Sequence, residues 1–190
     1  MLIKTLIPKM EIRAARLYVS PRTRILTQAE IETRALSYLL KDAICPEVGI
    51  DIAAREMAAL ITGPCTLIPV PNHTGDTSAN RRLCQAIAAH VEGGAKIADI
   101  LTRSQEVDSS CNRHKIGRAP LTIAEHCMCR KGKKMVAINS LFFVDNTTTT
   151  GTTLEACKAA LGGFGCGLTF TDAWQSVCLR DSRLDRKSVV

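Results

Sequence analysis

Aromatic residues are scarce: Phe, Tyr and Trp together make up 4% of the 190 residues. Single-strand nucleic-acid binders stack bases on aromatics, so a dedicated module of that kind is disfavoured. The core has to be built from Ala, Leu, Ile and Val, which suits helices packed on a parallel sheet. No stretch reaches transmembrane length without a charge, so no membrane partner is expected. The first residues show no long apolar run and no small-residue cleavage site, so no signal peptide is expected. Cys-x-x-Cys pairs are missing although there are nine cysteines. The odd, scattered set suits a reducing cytoplasm rather than a disulfide framework. Cys45, Cys65, Cys84, Cys157 and Cys178 stand in apolar surroundings and read as small core residues. His126-Cys127-Met128-Cys129 holds soft ligand types, but no second pair stands at zinc-finger spacing, so unligated side chains are expected.

What is present is a packed globule of one domain. Apolar residues make up 46% of the chain and the net charge is +7, which fits anionic ligands. The most informative stretch runs from Leu141 to Gly162. Leu141-Phe142-Phe143-Val144 reads as a buried strand. Asp145 and Asn146 follow, then Thr147-Thr148-Thr149-Thr150-Gly151-Thr152-Thr153. A helical pattern then puts Leu154, Cys157 and Leu161 on one face. A hydroxyl-rich loop opening a helix can hold a phosphate, because the first helical N–H groups lack intrahelical partners and point at the anion.

This stretch resembles the phosphoribosyl-pyrophosphate (PRPP) signature of type I phosphoribosyltransferases. That signature is four apolar residues, two acids, two usually apolar residues and Thr-Thr-Gly-small-Thr. The resemblance implies that Asp145 and Asn146 hold the ribose hydroxyls and that Thr147 to Thr153 grip the 5′-phosphate. Asn146 stands where the family has its second acid, and Thr147-Thr148 replace the apolar pair. An Asn still bonds a hydroxyl but brings no charge to ribose or metal.

Two upstream segments stand where the family keeps its other loops. Cys65 to Pro71 reads as a short strand, and Ile68 to Pro71 is similar to the strand of the ComF-like branch. Asn72-His73-Thr74-Gly75-Asp76 then stands where that family binds pyrophosphate. Ser78 reads as the cap of a helix over Ala79 to His90. After an apolar strand candidate at Ile97 to Leu101, the segment 101–118 carries Arg103, Arg113, His114, Lys115 and Arg118. In the family a mobile loop here supplies positive charge to the departing pyrophosphate. Arg103 and Lys115 are the candidates for that role. The ComF-like branch usually carries a zinc finger, and this chain shows no such cysteine spacing.

Elsewhere Thr27 and Glu30 form a capping-box pattern, so a helix is expected from there to about Asp42. A second is expected over Ile52 to Thr62. Met10 to Ser20 reads equally as edge strand or short helix. Pro120 to Met128 reads as a short helix, Met135 to Ile138 as a strand and Gly167 to Ala173 as the last core strand.

The expected fold is α/β: a Rossmann-like parallel sheet flanked by helices, of the type I phosphoribosyltransferase kind, with a small variable hood. Residues 1–63 read as a helical segment or hood, 64–176 as the transferase core and 177–190 as a basic tail. The resemblance implies transfer of phosphoribosyl from PRPP to a nitrogenous base or related small acceptor, with Mg²⁺ entering on PRPP near Asp145. It further implies a cytoplasmic homo-oligomer. The alternative is a non-catalytic regulator that senses PRPP or nucleotides, with nucleic-acid contact through basic patches.

Overall fold

In the computed structural model, which describes residues 10–21, 24–42, 45–109, 113, 116–132 and 140–173, strands and helices alternate. In order they are β1 (Ile12–Leu17), α1 (Gln28–Leu39), α2 (Glu47–Ala58), β2 (Cys65–Pro69), α3 (Ser78–Ala88), β3 (Ala95–Ile97) and β4 (Leu101–Arg103). A 3-10 turn at Ala124–His126 leads to β5 (Met128–Arg130), β6 (Leu141–Thr148), α4 (Thr152–Ala160) and β7 (Cys166–Asp172). A five-stranded sheet runs in the order β1, β7, β6, β2, β3, and every neighbouring pair is parallel. β4 and β5 form a separate antiparallel pair. The chain therefore has an α/β fold with a parallel sheet flanked by helices.

Each sheet face buries its own cluster. On one, Leu36, Ile50, Met57, Leu83 and Ile87 from α1, α2 and α3 join Leu67, Phe142, Val144, Leu168 and Phe170. On the other, Leu101, Leu154 and Cys157 join Ile68, Leu141 and Phe143. The alternation along β6 is that of a strand covered on both sides. β1 belongs to this sheet and α1 and α2 to its core, so the described residues before 63 are built into the same body as the described ones after it.

The capping box forms: the Thr27 N–H donates to Glu30 Oε2 at 2.9 Å, and the Glu30 N–H to Thr27 Oγ1 at 3.4 Å. Met10 to Ser20 resolves in favour of a strand, held at the sheet edge by β7. The second helix begins earlier than its apolar spacing suggested, at Glu47 directly after Pro46, and ends at Ala58. Pro46 presets the first turn, which the periodicity could not register. The strand expected at Ile97 to Leu101 divides into β3 and β4, which lie in different sheets. Between them Asp99 accepts bonds from Thr77 Oγ1 and Lys131 Nζ, turning the chain off the main sheet. The helix expected at Pro120 to Met128 shrinks to the single 3-10 turn. The strand expected at 135–138, His114, Lys115, Cys178 and the tail 177–190 lie outside the described residues.

Gly165 sits between α4 and β7 at φ +107°, where an added Cβ would lie 2.6 Å from Leu141 Cδ2 and Phe143 Cε2. Gly165→Ala combines a left-handed backbone with overpacking against the core. It is expected to cost roughly 2–5 kcal/mol, readable as a lower urea midpoint with an unchanged slope.

Candidate functional site

From β2 the chain moves outward to β3, then crosses back to β6 and on to β7 on the opposite side. The direction of winding reverses between β2 and β6. In open parallel sheets ligands bind outside the carboxyl ends of the strands at such a reversal. Pro69 of β2 pairs with Val144 of β6, and the Val70 N–H donates to the Val144 carbonyl at 3.0 Å. The loops after β2 and β6 are therefore brought to the same end of the sheet.

The loop after β2 is closed upon itself. Asn72 Oδ1 accepts from the Thr74 N–H at 2.9 Å, Thr74 Oγ1 at 2.8 Å and the Asp76 N–H at 3.0 Å. The Gly75 N–H donates to the Asn72 carbonyl at 3.2 Å. Asn is the residue type that makes such side-chain-to-backbone turns, and Gly75 supplies the required φ of +92°. The N–H groups of Thr74, Gly75 and Asp76 are thus used inside the loop. His73 is exposed, and its carbonyl accepts from the Val107 N–H at 3.0 Å. Ser78 is the first residue of α3 and Thr77 its N-cap, without a side-chain capping bond; the Asp76 carboxylate accepts from the Ser78 N–H at 3.1 Å and Ser78 Oγ at 2.6 Å.

Arg103, at the end of β4, clamps this loop. Its Nε donates to the Asn72 carbonyl, one Nη to the His126 carbonyl and the other to the Pro71 carbonyl at 3.4 Å. The guanidinium is engaged with the protein's own carbonyls, not held as a free cation for a ligand. Burial pulls its pKa below the usual arginine value, with Cys157, Asp145 and Cys127 acting in the opposite sense. The two other described basic residues of the segment also have partners. Arg113 and Arg118 share the Asp108 carboxylate, at 3.6 and 3.2 Å, and Arg113 Nε donates to the Ala119 carbonyl. Asp108 offsets the mutual repulsion of these two side chains.

His126 is buried, and burial first, then the Arg103 charge, pushes its pKa down to about 4. It stays neutral in the folded chain down to that value, while the unfolded chain takes up a proton near the ordinary 6.5. Stability is therefore expected to fall as pH drops from about 6.5 towards 4, and this contribution to the slope to end below that. Urea unfolding of wild type and His126→Gln at intervals through this window should give a shallower slope for the variant.

β6 runs past the expected strand end, through Asp145, Asn146 and Thr147 to Thr148. Asp145 pairs with Thr169, Thr147 with Thr171 and Thr148 with Asp172. Thr147 and Thr148 are thus sheet residues, and the loop proper begins at Thr149. Threonine is β-branched and fits a strand, which a motif reading overlooks. Thr147 Oγ1 lies 3.0 Å from Thr171 Oγ1 and 3.2 Å from Ser37 Oγ. Asn146 is buried, and its Nδ2 donates to the Ser37 carbonyl at 3.0 Å. It anchors α1 to the sheet instead of facing a ribose.

Asp145 is placed differently. Its Oδ1 accepts the Asn146 N–H at 2.8 Å and Asn80 Nδ2 at 3.2 Å. Its Oδ2 makes no hydrogen bond among the described residues. Burial pushes this carboxyl above the ordinary carboxylate range, opposed by the Asn146 N–H, Asn80, Lys41 and Arg103. Beyond it Thr149 and Thr150 are exposed, and Gly151 turns the chain at φ +80° into the start of α4. Thr150 Oγ1 lies 2.8 Å from Thr152 Oγ1, so hydroxyls crowd the N-terminus of that helix.

The site thus gathers Asp145, Thr149 to Thr153 and the loop 72–76, with Arg103 behind them. Sequence reading missed Asn80, Ser37 and Lys41. Asn80 carried only the signal of a polar residue in the first turn of a helix after the loop. Ser37 and Lys41 carried none, because their meeting with β6 is tertiary. No group of three or more potential metal ligands occurs among the described residues. No family model matches this chain, and no curated protein matches it.

Proposed function

We propose that the chain binds PRPP at the carboxyl ends of β2 and β6 and transfers its phosphoribosyl group to a small nitrogen acceptor. The observation that carries this reading is the half-buried Asp145 carboxylate, its Oδ2 without a hydrogen bond among the described residues, directly before the Thr149–Thr153 turn, at the point where the sheet reverses direction. In this reading Thr149 to Thr153 and the N-terminus of α4 hold the 5′-phosphate. Asp145 accepts a bond from a ribose hydroxyl and faces the positive charge that develops at the anomeric carbon. The loop 72–76 receives pyrophosphate after exchanging some of its internal bonds, and Arg103 positions that loop. A Mg²⁺ held mainly by the ligand's own oxygens needs one carboxylate, and Asp145 fits that part.

The engagement of Asn146 with Ser37 and of Arg103 with backbone carbonyls favours the second reading, a regulator that binds PRPP or a nucleotide without turnover. Calorimetry with PRPP and ribose 5-phosphate tests the binding common to both. Thr149→Ala with Thr150→Ala alters only exposed side chains and is expected to weaken both ligands about tenfold. Equal binding by variant and wild type would remove the site. Release of pyrophosphate from PRPP and Mg²⁺, screened over acceptors, then separates enzyme from sensor.

A further inference from the structure

α1 carries apolar residues on two faces. Leu36, and Leu40 at its C-cap, are buried in the core. Ile31, Ala35 and Leu39 recur at every fourth position on the outer side and are exposed, Ile31 at 48% and Leu39 at 46%. α2 adds Val48 at 72% and Ile52 at 41%, again four apart. The two helices approach closely because Gly49 has no side chain; a Cβ there would stand 3.0 Å from Leu36 Cδ1. Between them lies an open, mostly apolar groove of about 340 Å³, with Ala35, Leu39 and Ile52 on its walls and Arg16 and Glu32 at its sides. A surface helix ordinarily turns polar residues outward. Single exposed leucines are common, but four large aliphatics around one groove mark a docking surface.

Position and charge both indicate what covers it. Arg16, on the groove wall, is the register partner of Thr171, and Ser37 Oγ of α1 lies 3.4 Å from Thr171 Oγ1. Residues 174–190 follow directly after β7 and Ala173, so they start beside the groove. Extended, that length of chain reaches about 55 Å, against about 11 Å of helix from Glu32 to Leu39. Arg16 is taken by both carboxylate oxygens of Glu56. Glu32, and Glu47 in the first turn of α2, have no cation within ion-pair distance among the described residues. The rim is therefore acidic. The segment 174–190 is basic, with Arg180, Arg183, Arg186 and Lys187 against Asp181 and Asp185, and it carries Trp174, Val177, Leu179 and Leu184 as apolar side chains. A second copy seated by a two-fold axis would instead bring the same acidic rim to both sides of the contact.

We propose that the chain's own segment 174–190 docks in the groove between α1 and α2, with apolar side chains against Leu39 and Ile52 and basic ones against Glu32 and Glu47. Apolar burial supplies the attraction, and the opposite charges fix the register. The contact is independent of what the carboxyl ends of β2 and β6 bind.

The test uses the full chain. Trypsin cleavage after Arg180 and Arg183 follows the population of the undocked segment, and is expected to be about tenfold or more slower than in a synthetic peptide of residues 174–190. Leu39→Glu and Ile52→Glu, at exposed positions, are each expected to speed cleavage in the chain about tenfold, with far-ultraviolet circular dichroism unchanged. Trp174 is the single tryptophan, and its emission should shift to the red in the same variants. A photo-crosslinking residue in place of Val177 leaves the groove intact and should join to α1 or α2 of the same chain. It decides the matter if the groove variants unfold. Cleavage as fast as in the free peptide overturns the proposal. So does a protected segment that neither groove substitution releases, or a crosslink to another part of the fold. If the crosslink joins two chains and protection rises with protein concentration, a second copy fills the groove and the proposal fails.

Discussion

Asp145→Asn is expected to lower pyrophosphate release from PRPP by about 100-fold or more. The substitution keeps an oxygen to accept from the Asn146 N–H and Asn80 but removes the carboxylate charge. PRPP affinity should change far less, because in the proposed reading the 5′-phosphate is held at Thr149 to Thr153. A kcat loss with a nearly constant KM marks an interaction made chiefly in the transition state. Stability should move the other way. The folded carboxyl is raised above its ordinary pKa by burial, so its ionised form costs stability at neutral pH. The amide relieves that cost, and the gain should vanish as pH falls below the usual carboxylate range, where both states are protonated. Unchanged turnover in the variant would remove Asp145 from the chemistry.

Arg103→Met is expected to have the largest effect on the fold near the site, a loss of roughly 2–4 kcal/mol in urea unfolding. The part-buried His126 carbonyl loses a charged donor and bears the cost of desolvation, while the exposed Asn72 carbonyl keeps the Gly75 N–H. Amide exchange at Thr74, Gly75 and Asp76 should accelerate, since their bonds to Asn72 close the loop that Arg103 holds. Arg103→Lys should recover only part of the loss, because a single ammonium cannot replace a planar fork spread over three carbonyls. A loss below about 0.5 kcal/mol would place Arg103 among ordinary surface residues.

The parts of the site that sequence reading located are those set by local chemistry. The capping box at Thr27, the apolar run before Asp145 and the Asn-Gly loop after β2 each depend on residues a few positions apart. What it misplaced depends on partners far along the chain. Thr147 and Thr148 resembled loop residues until β7 arrived to pair with them. Asn146 resembled a weakened acid, yet its amide is fixed by the Ser37 carbonyl on α1. Arg103 resembled a free cation because its carbonyl partners at Pro71, Asn72 and His126 are distant in sequence.

The pairing of β1 with β7 has a consequence for synthesis. Ile12 lies against Gly167 and Leu17 against Asp172, so among the described strands the first made waits for the last before it gains its only neighbour in the sheet. Meanwhile Leu36, Ile50 and Met57 lack Leu168 and Phe170, part of the surface they finally cover. A nascent chain stopped before Cys166 thus carries an unpaired strand and open apolar helix faces. Contacts of such long sequence separation slow folding and prolong exposure to aggregation. Chains stalled on the ribosome short of β7 should be cut readily by protease, and extension past Ala173 should confer protection in one step.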